Sequence, residues 1–368
     1  AFYPNPQEGH GESTSWLTRS STSGPITNPR AVAMLEAMFL ALRELRAARG
    51  RFALIGLVVA LITLLLVMLS GLTEGLSKQN TSALEALGHE YEQASFSTQK
   101  PTFTESEIYE DDVVPGSAPL GTAQTKVEGF GGVAVLGLPA GEPIPGTKQQ
   151  VPATGVVASQ AITQGNSVVI GDETYAVRGT VPDLYYSHSP VLWVSTQTWA
   201  QLSHAPSDVV GTALLHANSI ATGLPTSVSM REALSGLPAY TSERGSLLTM
   251  QGFLYAISAL VMVAFLSIWT MQRTRDLSIL RALGARTRYL LGDALAQSAL
   301  ILALGVGVGA AVGWGLGALA QSTVPFVLSA RTIAAPAAGM WVLGMLGAVL
   351  ATRRISKINP LDALGGQG

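Results

Sequence analysis

The chain is 368 residues long, 48% apolar and only 12% charged, with 24 acidic residues against 22 lysines and arginines for a formal net charge of −2. Those proportions exclude an ordinary soluble protein of this size and point to a membrane-embedded one. Cysteine is absent, which excludes a disulfide framework, a thiolate nucleophile and a cysteine metal site, so any fold outside the cell depends on packing alone.

Residues 1–33 are rich in Ser, Thr, Pro and Gly, show no apolar periodicity and lack the basic-then-apolar order of a signal peptide. Residues 1–37 are therefore expected to be a disordered arm or tag, with the natural start at Met34 or Met38. Residues 38–74 are expected to hold an amphipathic cytoplasmic helix and then a first span. That span, Phe52 to Ser70, contains no charge and is extended by Gly71 and Leu72; at about 1.5 Å per residue it crosses a hydrocarbon core of about 30 Å.

Residues 75–245 are too long for a structureless connection and predict a mixed α/β domain on a stalk. Glu74 to Glu92 has helical spacing and continues the first span. Pro101 to Pro152, broken by Pro and Gly, reads as strands and turns. In GNSVVIGDETYAVRGTV, Gly165 to Val181, Val168 and Ile170 alternate, Gly171-Asp172 makes a turn, and Tyr175 and Val177 alternate again, which is a hairpin. Val191 to Val194 is a further strand, and from Pro206 onward short helix mixes with strand. Ser229-Met230-Arg231-Glu232 then starts a helix by a capping-type pattern.

A second apolar run, Leu247 to Thr270, places a span at 246–270. A third, Leu290 to Ala320, is interrupted only by Asp293 and contains Gly305, Gly307, Gly309, Gly313, Gly315 and Gly317; it places a span at 289–320 whose small residues form a packing seam. Residues 321–331 form an outer loop, Thr332 to Ala351 a fourth span at 332–352, and 353–368 a tail. The fold class is thus a membrane protein of four transmembrane helices with a mixed α/β extracellular domain between helices 1 and 2.

Orientation follows from the flanks. Arg43, Arg46, Arg49 and Arg51 precede the first span, Arg273, Arg275, Arg281, Arg286 and Arg288 lie between the second and third, and Arg353, Arg354 and Lys357 follow the fourth. All three flanks are expected to be cytoplasmic, with both termini inside the cell membrane. The segment from Thr73 to Ser246 then lies outside, and its seventeen acidic residues against seven basic ones give a net charge of about −10.

No Walker A loop, HExxH, GxSxG or GxGxxG occurs, so the chain is expected to hydrolyse no nucleotide. Between the second and third spans, residues 271–288 include RTRDLSILRALGAR, from Arg273 to Arg286. Leu277, Leu280 and Leu283 make one narrow apolar face with Ile279 at its edge, Arg273, Arg281 and Arg288 occupy other angles, Asp276 caps the start and Gly284 ends it. Such a helix rests on anionic lipid heads or lies in a groove of a cytoplasmic partner.

The run Arg273 to Ala285, together with RRISKINPLDAL from Arg353 to Leu364 after the last span, resembles the FtsX-like, MacB-type permease family of ABC transporters, the type VII architecture. The likeness covers nearly the whole chain after Met38. It implies that Arg273 to Gly284 is a coupling helix docking on a separate ATPase, with Arg273, Arg275, Leu277, Leu280, Arg281, Leu283 and Gly284 as the contacts. It also implies a permease homodimer with two ATPase copies, ATP and Mg bound only on those partners, the first two spans at the dimer axis, and transport by mechanotransmission. The ATPase is expected to be a separate chain rather than a fused domain, and the outer domain is expected to be compact, without a hook-like insertion. In this the chain looks most like the heme-exporter permeases of Gram-positive bacteria and of actinobacteria such as corynebacteria. Exporters of antimicrobial peptides or lipids, and permeases that transmit force or signal without cargo, share the layout.

For a heme cargo the iron needs a Met, His, Tyr or carboxylate ligand and the propionates need cations or hydroxyls. Glu74, just beyond the first span, Met68, slightly deeper, and Met250 in the second span are the candidate iron ligands. Glu243, Arg244, Tyr240 and Tyr255 are the neighbouring candidates. Each has a plainer reading: Glu74 as a carboxylate facing water at headgroup level, and the methionines as packing residues. His89, His188, His204 and His216 show no ligand spacing and are read as surface residues, His10 falls in the excluded arm, and Tyr91, Tyr175, Tyr185 and Tyr186 are read as packing strand residues or the lining of an outer cradle.

Overall fold

The computed structural model describes residues 49–162, 165–272 and 287–352. A long helix, α1 (Arg49–Leu87), leads into twelve strands: β1 (Gln93–Phe96), β2 (Ile108–Tyr109), β3 (Ser117–Val127), β4 (Gly131–Leu138), β5 (Val156–Ser159), β6 (Ser167–Ile170), β7 (Glu173–Val181), β8 (Tyr185–Tyr186), β9 (Ser189–Ser195), β10 (Val209–Gly211), β11 (Ala213–His216) and β12 (Thr226–Ser229). Between β9 and β10 lies α2 (Thr196–Ser203), and after β12 come α3 (Met230–Ala233), α4 (Pro238–Gln272), α5 (Thr287–Ala320) and α6 (Ala330–Thr352). Four of these helices, α1, α4, α5 and α6, are long and apolar enough to cross a membrane. The architecture is therefore the expected one, four membrane helices with a mixed α/β domain between the first and second. Residues 38–48, 273–286 and 353–368, which hold the expected cytoplasmic helix, most of the arginine segment and the tail, lie outside the described residues.

The helix α1 has 39 residues and no proline, so it runs about 58 Å at 1.5 Å per residue, nearly twice the roughly 30 Å of a hydrocarbon core. Its second half is the stalk expected from the spacing after Glu74. The helix α4 begins at Pro238, eight residues before the span expected at 246, because the proline supplies a preset first helical turn and nothing after it breaks the helix.

The four long helices form a bundle in which α5 packs on α1 and α6, and α4 packs on α6 and α1. Half of the expected glycine seam of α5, Gly305, Gly309 and Gly313, faces α1: a Cβ on Gly305 would sit 2.9 Å from the Gly56 carbonyl oxygen, and one on Gly313 would sit 2.9 Å from Val67 Cγ1, whereas Gly307 and Gly315 meet nothing within 4 Å and Gly317 lies against Phe326. Hydrogen at the positions facing α1 lets the two backbones approach, which replaces the missing hydrophobic drive between helices in lipid. Further along α1, Gly71 and Gly75 receive the connection from α5 to α6, with the Phe326 ring on Gly71 and the Pro325 carbonyl on Gly75; the Val327 N–H donates to the Gly71 carbonyl at 3.1 Å. Another face of α1 carries exposed Leu54, Leu57, Leu61 and Leu65, and α4 exposes Phe253, Ile257, Leu260 and Ile268.

In the α/β domain the strand order is β12-β1-β11-β3-β4-β9-β5-β7-β6, and β3 also pairs with β6 at Val127 and Ile170. That pairing turns β3, β4, β9, β5, β7 and β6 into a closed ring of strands, which removes their free edges. The β4–β9 and β5–β7 ladders are parallel. Strands β4 and β9 are buried on both faces, so Val191 to Val194 reads as an unbroken apolar run rather than an alternation. Val133, Val135, Leu192 and Val194 point to a core with Trp199 of α2, while Ala134, Leu136, Val191 and Trp193 point to a second core. Ala83, Leu84 and Leu87 of α1 are part of that second core, so stalk and domain share one packed interior.

Locally legible features have the expected form. The β6–β7 hairpin pairs Val168 with Tyr175 and Ile170 with Glu173. Ser229 caps α3, its hydroxyl accepting the Glu232 N–H at 3.3 Å while Glu232 accepts the Ser229 N–H at 3.2 Å. His216 departs from the expectation of a surface residue: it is fully buried. Its Nε2 lies 2.9 Å from Ser95 Oγ and its Nδ1 2.7 Å from the Asn218 carbonyl, and those partners are what let an imidazole stay inside. Tyr91 and Tyr186 are also buried, Tyr186 stacking edge-on against Phe103 with centroids 6.2 Å apart. Burial pushes the Tyr186 phenol up to about 12 despite its hydrogen bond to Thr122, and burial followed by the Glu142 carboxylate raises Tyr91 further. Both are core residues, not the lining of a cradle.

Candidate functional site

A cleft of about 910 Å³ opens where α1 leaves the bundle, between α1, α3 and the first turns of α4 and α6. Helical spacing brings its residues together. Ser70, Glu74 and Lys78 recur every four residues on one face of α1, and Tyr240 and Arg244 stand four apart on α4. The Arg244 guanidinium lies over the Tyr240 ring, 5.6 Å from its centroid, a cation–π contact that holds the charge without neutralising it. From α6 comes Arg331, in a first turn capped by Ser329, whose hydroxyl accepts the Thr332 N–H at 3.1 Å. The amino end of that helix adds partial positive charge of its own. Arg231 completes the cationic wall from α3.

The sign of this cleft differs from that of the surrounding domain. Its lining holds Lys78, Arg231, Arg244 and Arg331 against Glu74, Glu85 and Glu92. Lys78 and Glu85 are paired with each other, and Thr81 Oγ1 donates to Glu85 at 2.7 Å. Three arginines then face two carboxylates, and none of the three forms an ion pair among the described residues. A domain segment with a net charge of about −10 thus surrounds a locally cationic cleft.

Of the residues singled out from sequence, Glu74, Tyr240 and Arg244 share this cleft. Glu74 is half-buried. Met68 is half-buried elsewhere on α1, and Met250 is exposed on α4; neither lines the cleft. Tyr255 packs against α6, where a Cβ on Gly339 would meet its hydroxyl at 3.1 Å. Glu243 is drawn away by other partners: the Asn80 amide donates to its Oε2 at 2.9 Å, and His188 Nε2 lies 2.8 Å from its Oε1. Arg231 and Arg331 were not singled out, although Arg331 is the sole charge in residues 321–331 and its place at the head of an apolar run is visible. His188 gave no signal, since its partners lie far away in sequence. The arginine segment from Arg273 to Gly284 lies outside the described residues. Among the described residues no group of three or more His, Asp or Glu is arranged to hold a metal ion.

Residues 249–360 match the FtsX-like permease C-terminal domain. Over 358 aligned residues the chain is 25% identical to the putative hemin transport system permease protein HrtB of Staphylococcus haemolyticus, covering 89% of this chain and 99% of that one. It is 23% identical over 351 residues to an uncharacterized ABC transporter permease of Mycobacterium bovis, with the same coverage. A shorter likeness, 27% over 143 residues, links 38% of the chain to 22% of the macrolide export ATP-binding/permease protein MacB of Wolinella succinogenes. Such homologues imply an ATPase partner, and with the four apolar helices they indicate a membrane protein. The chain carries an FtsX-like permease domain and is homologous to the HrtB hemin transport permeases and the MacB-type permeases of ABC transporters.

Proposed function

We propose that this chain is the non-catalytic membrane subunit of an ABC exporter that takes heme from the membrane at the cleft between α1, α4 and α6. A separate cytoplasmic ATPase drives it through the segment Arg273 to Gly284, with both termini of the permease in the cytoplasm, two permease copies per complex, and force passed along α1 and α4 to the α/β domain. Heme is a flat amphiphile with two acidic propionates, and the HrtB relatives are named for hemin transport. The observation that carries the reading is the charge of the cleft: three arginines unpaired among the described residues, beside the half-buried carboxylate of Glu74. Arg244 and Arg331 seat the propionates and Glu74 supplies an oxygen ligand to the iron. Antimicrobial peptides, which are cationic and drawn to the acidic domain as a whole, find in this cleft the wrong sign. Lipids remain a second reading, because an anionic headgroup matches the same arginines.

The test is a heme titration of the purified permease in zwitterionic nanodiscs, followed at the Soret band, beside Glu74→Ala. A saturable site whose band shifts or disappears in the variant supports the proposal. Equal, non-saturating spectra for both proteins discard heme while leaving the exporter assignment in place.

A further inference from the structure

Glu243, adjoining Arg244 and one turn after Tyr240, is held from two directions. Asn80 of α1, 1% exposed, donates from Nδ2 to Glu243 Oε2 at 2.9 Å. His188 approaches from the α/β domain, its Nε2 2.8 and 3.0 Å from the two Glu243 oxygens and 3.0 Å from Asn80 Nδ2. His188 sits at the tip of the hairpin between β8 and β9, where Ser187 has φ +48° and His188 φ +65°. Two successive left-handed residues form the tight hairpin turn that normally calls for Asn-Gly, and neither is glycine here. The strained tip is pinned to α1 by its own backbone, the Ser187 N–H donating to the Asn80 carbonyl at 3.0 Å and the His188 N–H to the Gln79 carbonyl at 2.9 Å. One carboxylate thus ties three bodies together: the stalk of α1, the start of α4 and the α/β domain.

We infer that His188 and Asn80 are positioning residues for the cargo cleft, acting through Glu243. They fix the first turns of α4 against α1, and those turns carry Tyr240 and Arg244 into the cleft opposite Glu74. The width of the cleft is thereby set by how the start of α4 stands against the hairpin tip, so a displacement of α4 relative to the α1 stalk and the α/β domain packed on it opens or closes it. Side-chain exposures of 34% for His188 and 39% for Glu243 leave this tie reachable by water and able to part without unfolding the domain. The inference rests on the heme reading for the identity of the cargo, but the tie itself is measurable without any cargo.

The experiment uses the full chain in zwitterionic nanodiscs, with spin labels on Ala86→Cys in α1 and Ser242→Cys in α4, easily placed because the chain has no cysteine. His188→Gly keeps the left-handed turn and removes the imidazole, His188→Gln restores a side-chain N–H donor, and Asn80→Ala removes the second donor. The expected result is a narrow inter-label distance in the parent protein, a broader and longer one in His188→Gly and Asn80→Ala, and recovery in His188→Gln. Heme affinity should fall about ten-fold in His188→Gly, the weight of one charge-assisted hydrogen bond, and return in His188→Gln. Unchanged distances in His188→Gly overturn the inference. So does a changed distance with unchanged heme affinity, since the tie would then position nothing that binds. If the parent binds no heme, the heme reading fails, and the distances alone decide whether Glu243 ties the two stalks.

Discussion

Arg331 and Arg244 differ in how they are held. Arg244 rests on an aromatic face, whereas Arg331 stands exposed at the head of α6 with no ion pair among the described residues. Removing Arg331 therefore costs the fold little and the proposed cargo much. Arg331→Gln is expected to leave the thermal midpoint within a degree or two and to weaken heme binding by about five- to ten-fold, read in the same Soret titration; the dimethyl ester of heme should bind parent and variant alike. Sequence position showed that Glu74, Tyr240 and Arg244 lie near one depth, because spacing from an apolar run fixes depth and face on a helix. It did not separate Glu243 from Arg244, neighbours in the chain that face different partners, and it read His188 as a plain surface residue. Those assignments depend on a hairpin tip arriving from another part of the chain, which no local pattern encodes.

At the scale of elements, the α1–α5 seam makes a sharp demand. Gly305 approaches the Gly56 carbonyl so closely that Gly305→Val must push the helices apart, at a cost of about 1–3 kcal/mol from overpacking; Gly307→Val, where nothing lies within 4 Å, serves as the matched control. Thermal unfolding in detergent should separate the two, and equal midpoints would remove the seam as a determinant of the bundle. The arginine segment gives a second prediction, belonging to the proposed coupling role. Leu280→Gln is expected to lose ATPase copurification and stimulation, because a polar group replaces the apolar tooth in a partner groove; normal pull-down from that variant discards the docking assignment. The four spans, the β6–β7 hairpin and the Ser229 cap were legible because each is written in adjacent residues. Closure of the strand ring was not, since the pairing of Val127 with Ile170 and the parallel β4–β9 ladder join segments whose order in the sheet is free to vary.

For the whole molecule, all four long helices leave apolar side chains uncovered within one copy, among them Leu54, Leu57, Leu61 and Leu65 on α1, Phe253, Ile257, Leu260 and Ile268 on α4, Leu304, Val308 and Val312 on α5, and Val342, Leu346 and Leu350 on α6. Gly305, Gly309 and Gly313 of α5 are meanwhile taken up inside the copy, against α1. We propose that the stripes of α1 and α4 meet across the two-fold axis of a permease dimer, those of α5 and α6 facing lipid. Leu61→Cys is expected to crosslink between copies under mild oxidation, while Val308→Cys on the exposed side of α5 is expected to stay monomeric; the opposite outcome would move the axis to α5. The purified permease without its partner is expected to show no ATP hydrolysis above a contaminant control.

The unbroken length of α1 has a mechanical meaning. A rod of about 58 Å pivoting at one end moves the other by about 1 Å for each degree of tilt, and a helix without proline or an internal break has no joint at which to dissipate that travel. Because Ala83, Leu84 and Leu87 at its far end are set in the interior of the α/β domain, a tilt of five degrees would carry the domain through roughly the pitch of one helical turn. A rotation of a few degrees at the base of α1 is thus magnified at its far end into a displacement as large as a side chain.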